Sequence, residues 1–142
     1  AGASGIGERA ELLLRAQAQV ALQRLQPGHD PAALRRSAET LQTWLADVPQ
    51  DALVWEQLAV ATDALGLKLR SMRAAAEARA AVGDLTGAIH RLRATQAAAR
   101  GASGQDFIEA SVIDARLRQL ATQRRQLALE ARGRGVPGAE PQ

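Results

Sequence analysis

Cysteine is absent from this 142-residue chain, and aromatic side chains make up only 2% of it. Without a thiol the chain can form neither a disulfide nor a thiolate metal site, and its redox compartment stays open. No run of about 18 apolar residues occurs, so no transmembrane helix is predicted. Residues 1–7 have neither the basic start nor the apolar stretch of a signal peptide, and we expect a disordered tail there.

The sequence contains no long block of charges of a single sign. The formal net charge is +3, and Lys68 is the only lysine among the 18 basic residues. Acidic residues are interspersed with the arginines, so the sequence has no continuous basic block of the kind that binds nucleic acid. We interpret Arg116, Arg118, Arg124 and Arg125 as a solvated helix face, and no nucleic-acid partner is expected.

Apolar residues are plentiful, at 46%, and alanine supplies much of that share. Alanine and leucine favour helices, whereas strands favour the β-branched and aromatic side chains that are scarce here. The length suffices for one domain with a sizeable core. We therefore predict an all-α fold.

Six antiparallel helices are predicted from apolar periodicity and from the residues that interrupt it. Their expected ranges are about 8–25, 31–47, 52–65, 68–82, 85–99 and 106–132. The folded domain should span residues 8–132, and residues 133–142, rich in Gly and Pro, should be a disordered tail. The predicted helix caps are Asp30, Asp51, Asp84 and Asp106, and the predicted helix-ending glycines are Gly66 and Gly83.

The apolar stripe of each helix predicts which residues face the core. The first helix has the stripe Leu14, Ala18, Ala21, Leu22 and Leu25. The stripe of the second helix is Leu34, Ala38, Leu41, Trp44 and Leu45, and that of the third is Val54, Leu58, Ala61 and Leu65. In the fourth helix Arg70, Arg73 and Glu77 are predicted to face outward. Trp44 and Trp55 lie on apolar stripes, which favours core packing over a role in peptide binding.

The segment between Pro49 and Gly83 resembles one tetratricopeptide (TPR) repeat. These two helix-breaking residues lie 34 positions apart, which is the TPR period. Trp55 and Leu58 provide the Trp-x-x-Leu opening of such a repeat. Small residues follow where the two helices of a hairpin pack closely, namely Ala59, Ser71, Ala75 and Ala78. The resemblance implies a right-handed solenoid of three helical hairpins with a long C-terminal capping helix.

Further stretches resemble the C-terminal TPR region of bacterial BepA-like zinc metalloproteases. They are residues 83–89 (Gly-Asp-Leu-Thr-Gly-Ala-Ile) and 106–117 (Asp-Phe-Ile-Glu-Ala-Ser-Val-Ile-Asp-Ala-Arg-Leu). Residues 41–45 (Leu-Gln-Thr-Trp-Leu) and 55–58 (Trp-Glu-Gln-Leu) are similar to the preceding repeat. Members of this family are periplasmic gluzincin-type peptidases of outer-membrane protein quality control.

The zinc-binding motif of that family, His-Glu-x-x-His, is missing from this sequence. Only His29 and His90 are present, and neither is followed by Glu. The resemblance therefore implies a non-catalytic C-terminal part of a periplasmic protease, without a cofactor of its own and with zinc only in an upstream protease domain. An enzyme in its own right is disfavoured, because no nucleophile and base stand at usable spacing.

The predicted binding surface is the concave groove lined by the first helix of each hairpin. Glu56, Val60 and Asp63 of the third helix and His90 of the fifth should line it, whereas His29 should be a loop residue. The acidic pair argues against a clamp for a peptide carboxylate and favours a basic protein segment, or the protein's own protease domain, as the partner. A stand-alone TPR adaptor unrelated to proteolysis is the alternative.

Overall fold

The computed structural model describes residues 2–134, with side chains from Gly5 onward, and all regular secondary structure in this part of the chain is helical. The helices are α1 (Gly2–Leu25), α2 (Ala32–Asp47), α3 (Ala52–Ala64), α4 (Lys68–Ala81), α5 (Leu85–Ala98) and α6 (Gln105–Gly133). The all-α prediction is confirmed. α1 begins at Gly2 rather than at Glu8, so the predicted N-terminal tail is helical from Gly2 on. Of the predicted C-terminal tail, residues 135–142 lie outside the described residues.

Local signals set several helix ends as predicted. The Asp51 carboxylate accepts a hydrogen bond from the Val54 N–H at 3.4 Å, and that of Asp84 accepts one from the Gly87 N–H at 2.9 Å. Both carboxylates satisfy backbone donors that have no partner inside the helix. Gly66 and Gly83 follow α3 and α4 with φ of 77° and 86°, a conformation that strains residues with a Cβ atom.

Two predicted caps are displaced. The Asp30 carboxylate accepts from the Ala32 N–H at 3.1 Å, and Pro31 rather than Asp30 occupies the cap position of α2. The prediction that Asp106 caps α6 is wrong, because the helix starts earlier, after Gly104. Asp106 lies in the first turn instead, where its negative charge interacts favourably with the helix dipole.

The helices pack in two groups of three that meet at α3 and α4. α1, α2 and α3 contact one another, and so do α4, α5 and α6. A TPR solenoid would also place α3 against α5, since the first helices of successive repeats stack. Within residues 2–134 these two helices make no contact, and α4 contacts α6 instead. The predicted solenoid arrangement is therefore not confirmed.

Two hydrophobic cores correspond to the two groups. The first combines side chains of α1, α2 and α3 with Ala74 and Ala78 of α4. The second combines Leu69 and Ala76 of α4 with side chains of α5 and α6. α4 thus serves both cores, and its alanines allow neighbouring helices to approach closely on two sides. The largest fully buried hydrophobic side chains are Leu34, Leu41 and Val54 in the first core and Ile89, Leu92, Ile113 and Leu120 in the second.

The buried face of α1 differs from the predicted one. Leu14 and Leu25, predicted to face the core, are 65% and 82% exposed. The side chains that are buried instead are Leu12, Leu13, Ala16 and Val20. Leucine and alanine occur on nearly every side of this helix, so periodicity alone does not fix its rotation. The predicted core faces of α2 and α3 are confirmed, apart from Trp44 and Leu65, which are half-buried.

α4 buries charges that were predicted to face outward. Glu77 is only 7% exposed, and both of its carboxylate oxygens accept from Arg116 Nε of α6, at 2.9 and 2.8 Å. Arg73 forms an ion pair with Glu109 of α6, and both side chains are largely buried. The outward prediction for Arg73 and Glu77 is wrong because α6 covers this side of α4.

Candidate functional site

The residues predicted to line a groove lie on two helices that do not touch in the described structure. Glu56 and Asp63 are exposed and Val60 is half-buried on α3, while His90 is exposed on α5. The described structure shows no side-chain hydrogen bond or ion pair at Glu56, Asp63 or His90. These polar groups are available to a partner, and their role in binding stays a prediction.

His29 lies in the loop between α1 and α2, as predicted. Its carbonyl oxygen accepts from Gln23 Nε2 at 3.2 Å, and its backbone N–H donates to the Gln26 carbonyl at 2.8 Å. Among the described residues no group of three or more His, Cys, Asp or Glu side chains could hold a metal ion. Of the helices described, none has the length and apolar character needed to cross a membrane.

Both tryptophans have structural partners for their indole N–H groups. Trp55 is 7% exposed, and its Nε1 donates to the Pro49 carbonyl at 2.9 Å. Trp44 is half-buried, and its Nε1 donates to Asp51 Oδ2 at 2.9 Å. Buried indole groups need such acceptors, and these bonds tie the α2–α3 connection to the adjacent helices. The prediction of core packing is confirmed for Trp55.

Asp51 connects α1, α2 and α3. Arg9 of α1 donates to it through Nε and Nη2, at 2.7 and 2.9 Å, in addition to the bonds from Trp44 and the Val54 N–H. The hydrogen bonds from Arg9, and then those from Trp44 and Val54, lower the pKa of Asp51 below its ordinary value despite the opposing effect of burial. This carboxylate is fully engaged, so it stabilises the fold and is not available to a ligand.

A cleft runs between α1 and α2, and we call it the α1–α2 cleft. It consists of two adjoining hollows of about 480 and 470 Å³. One end lies at Gln19 and Ala33 and the other at Glu8 and Asp47, which gives a length of about 21 Å along α2. The lining residues shared by the two hollows are Glu8, Leu12, Arg36 and Thr40.

The rim of the α1–α2 cleft is acidic. Glu11 forms an exposed ion pair with Arg15 at 2.7 Å, which neutralises both charges locally. Three other carboxylates, those of Glu8, Glu39 and Asp47, have no ion-pair partner among the described side chains. The charged lining residues are Glu8, Glu11, Glu39, Asp47, Arg15 and Arg36, with a net charge of −2.

Apolar surface lies between these charges. Leu12, 7% exposed, belongs to the first core and lines both hollows. Trp44 lines the second hollow. A site with an apolar floor and an acidic rim suits a segment that carries both basic and apolar side chains.

Sequence reasoning missed this cleft although each of its walls has a signal. Residues 8, 12, 15 and 19 share one face of α1, and residues 36, 40, 43 and 47 have the same spacing on α2. Each set therefore lines one face of its own helix. Which faces meet depends on the rotation of α1, and that rotation was predicted incorrectly.

A scan against protein-family models, a search of curated proteins and a search of solved structures each found no match to this chain.

Proposed function

We propose that this chain is a non-catalytic protein-interaction module that binds a basic, partly apolar protein segment in the α1–α2 cleft. The observation that carries the proposal is the unpaired acidic rim formed by Glu8, Glu39 and Asp47 next to Leu12. The rim attracts basic side chains, and the floor removes apolar ones from water. A helical segment of about 14 residues matches the cleft in length, in the manner of an amphipathic helix laid into a groove.

For the parent protein we propose the C-terminal, TPR-like part of a BepA-like periplasmic zinc metalloprotease. The support is the motif resemblance in residues 83–89 and 106–117. The partner would then be a client protein or the protease domain, and zinc and catalysis would lie outside this chain. A stand-alone adaptor unrelated to proteolysis is the alternative. The coding sequence upstream of Ala1 decides between them by the presence of a His-Glu-x-x-His helix and a signal peptide.

The binding proposal is tested with two amphipathic helical peptides of about 14 residues. The basic peptide has Leu on its apolar face and Arg on its polar face, and the acidic peptide has Glu in place of each Arg. The basic peptide should bind, and its affinity should fall with rising salt because salt screens the rim charges. The acidic peptide should not bind.

A pair of charge-reversed variants locates the site. Glu39→Lys with Asp47→Lys should weaken binding of the basic peptide by about 2- to 30-fold through the lost attraction alone, since each of the two exposed charge pairs contributes about 0.2–1 kcal/mol. Glu56→Lys with Asp63→Lys makes the same charge change on α3 and tests the groove predicted from the sequence. Loss of binding only in the α3 variant would place the site there. Absence of binding by the parent chain would overturn the proposal.

A further inference from the structure

The second half of α6 extends beyond the helices that it packs against. α6 has 29 residues and is about 43 Å long, whereas α4 and α5 have 14 residues each and are about 21 Å long. The ion pairs Arg73–Glu109 and Glu77–Arg116 show that α4 and α6 run in the same direction. Because α4 ends at Ala81, residues 121–134 pass beyond the α4–α5 turn. We call them the projecting half of α6.

The apolar face of α6 continues into the projecting half. Ile113, Leu120 and Leu127 recur every seven residues, so Leu127 lies on the same face as two fully buried side chains. Leu127 is nevertheless 47% exposed. Within residues 2–134, α6 contacts only α4 and α5. Most helical stability in proteins comes from packing of an apolar face, so burial of this face in a partner would stabilise the projecting half.

The two halves of the chain carry net charges of opposite sign. Residues 1–67 contain eight acidic and five basic side chains, and residues 68–142 contain seven acidic and thirteen basic ones. In the projecting half, Glu130 is outnumbered by Arg124, Arg125, Arg132 and Arg134, which gives a net charge of +3. The α1–α2 cleft has a net charge of −2.

We infer that the projecting half of α6 docks in the α1–α2 cleft of a second copy of this chain. The inference rests on the proposed function and names the basic segment that the cleft binds. The projecting half and the cleft are each about 21 Å long, their charges are opposite, and Leu127 would cover Leu12. The two surfaces are different patches of one molecule, so the contact is heterologous and the copies associate head to tail.

Sedimentation equilibrium of the chain, from about 10 to 500 µM, tests the association. The mean mass should rise above that of a monomer with increasing concentration and should fall as salt screens the contact. Two variants each remove one side of the interface. The cleft variant is Glu39→Lys with Asp47→Lys, and the tail variant is Arg124→Glu with Leu127→Glu. Each should be monomeric while retaining its helical circular dichroism spectrum.

The equimolar mixture of the two variants is the decisive sample. The cleft variant keeps an intact projecting half and the tail variant keeps an intact cleft, so the mixture should form a one-to-one dimer and no larger species. Arg91→Glu with Arg93→Glu, on the exposed side of α5, is the matched control and should associate like the parent.

Three results would overturn the inference. A parent chain that stays monomeric while still binding the basic peptide in its cleft would remove self-association and leave the proposed function standing. A cleft variant that associates as strongly as the parent would show that the cleft is not the docking site. The third result is a chain that stays monomeric and retards duplex DNA in a gel shift that weakens with rising salt. If this retardation depended on the projecting half, the basic surface would be a nucleic-acid binding site.

Discussion

At the residue scale, Asp51 receives hydrogen bonds from Arg9, Trp44 and the Val54 backbone. The bonds from Arg9, followed by those from Trp44 and Val54, hold the pKa of Asp51 below its ordinary value. A carboxylate with a lowered folded-state pKa stabilises the fold above its unfolded pKa of about 3.9, and this contribution is lost as the pH falls through the folded value.

We therefore expect acid to destabilise the parent more than an Asp51→Asn variant. The variant should melt at a lower temperature than the parent at pH 7, because it lacks the charge that pairs with Arg9. Below about pH 4 the difference between the two melting temperatures should shrink. Thermal denaturation followed by circular dichroism measures this, with Glu56→Gln as the control at an exposed site without a side-chain partner among the described residues. A constant difference from neutral to acidic pH would contradict the assignment.

Gly87 gives a second residue-scale prediction. A Cβ atom placed on it would lie 2.2 Å from Asp84 Oδ2, the carboxylate that caps α5. Gly→Ala inside a helix normally stabilises by about 0.5–1 kcal/mol, whereas loss of a cap costs about 0.5–2 kcal/mol. Gly87→Ala should therefore give no gain in the parent but a gain of that size in an Asp84→Ala background. Equal effects in both backgrounds, measured by urea denaturation, would show that the cap tolerates the methyl group.

At the element scale, α6 is held against α4 by two ion pairs with little exposed surface. Glu77 is paired with Arg116, and Arg73 with Glu109. Removing one partner of a mostly buried pair leaves the other charge unsatisfied, which is costlier than losing the attraction alone.

Glu77→Ala should destabilise the chain by about 1–3 kcal/mol, because Arg116 loses its carboxylate at a partly buried site. The swapped double variant, Glu77→Arg with Arg116→Glu, should recover part of this loss. Glu109→Ala serves as the parallel test at the neighbouring pair. Urea denaturation of the single and double variants gives the coupling energy, and a coupling near zero would mean that packing alone holds α6.

The sequence predicted the elements better than their contacts. Gly66, Gly83 and the caps Asp51 and Asp84 act through neighbouring residues, so their signals are local and were interpreted correctly. The faces of α2 and α3 were also predictable, because their buried residues recur at helical spacing. The burial of Glu77 was not predictable from the sequence, because it depends on Arg116, which lies 39 residues away.

The candidate site was less predictable than the fold. Glu56, Val60, Asp63 and His90 line one groove only if α3 and α5 stack, and in the described residues these helices do not touch. The α1–α2 cleft depends on the rotation of α1, whose leucines and alanines surround the helix. Relations between faces of different helices are set by packing, and a periodic pattern within one helix does not specify them.

At the scale of the whole molecule, α4 joins the two cores. Ala74 and Ala78 pack in the first core, and Leu69 and Ala76 in the second. Loss of either core removes part of the packing that holds α4, so neither group of helices is expected to be independent of the other. Residues that belong to one group alone should open more easily, in units formed by α1–α2 and α5–α6.

Native-state hydrogen exchange of matched variants tests this coupling. Leu41→Ala in the first core and Leu92→Ala in the second remove the same side chain from fully buried sites, at an expected cost of about 2–5 kcal/mol each. Leu41→Ala should most strongly accelerate exchange in α1 and α2, and Leu92→Ala in α5 and α6. The amides of α4 should exchange most slowly in the parent and should lose protection in both variants, because each core contributes to holding this helix. If α4 responded to only one of the two substitutions, it would belong to that core alone, and the chain would consist of two independently stable groups of helices.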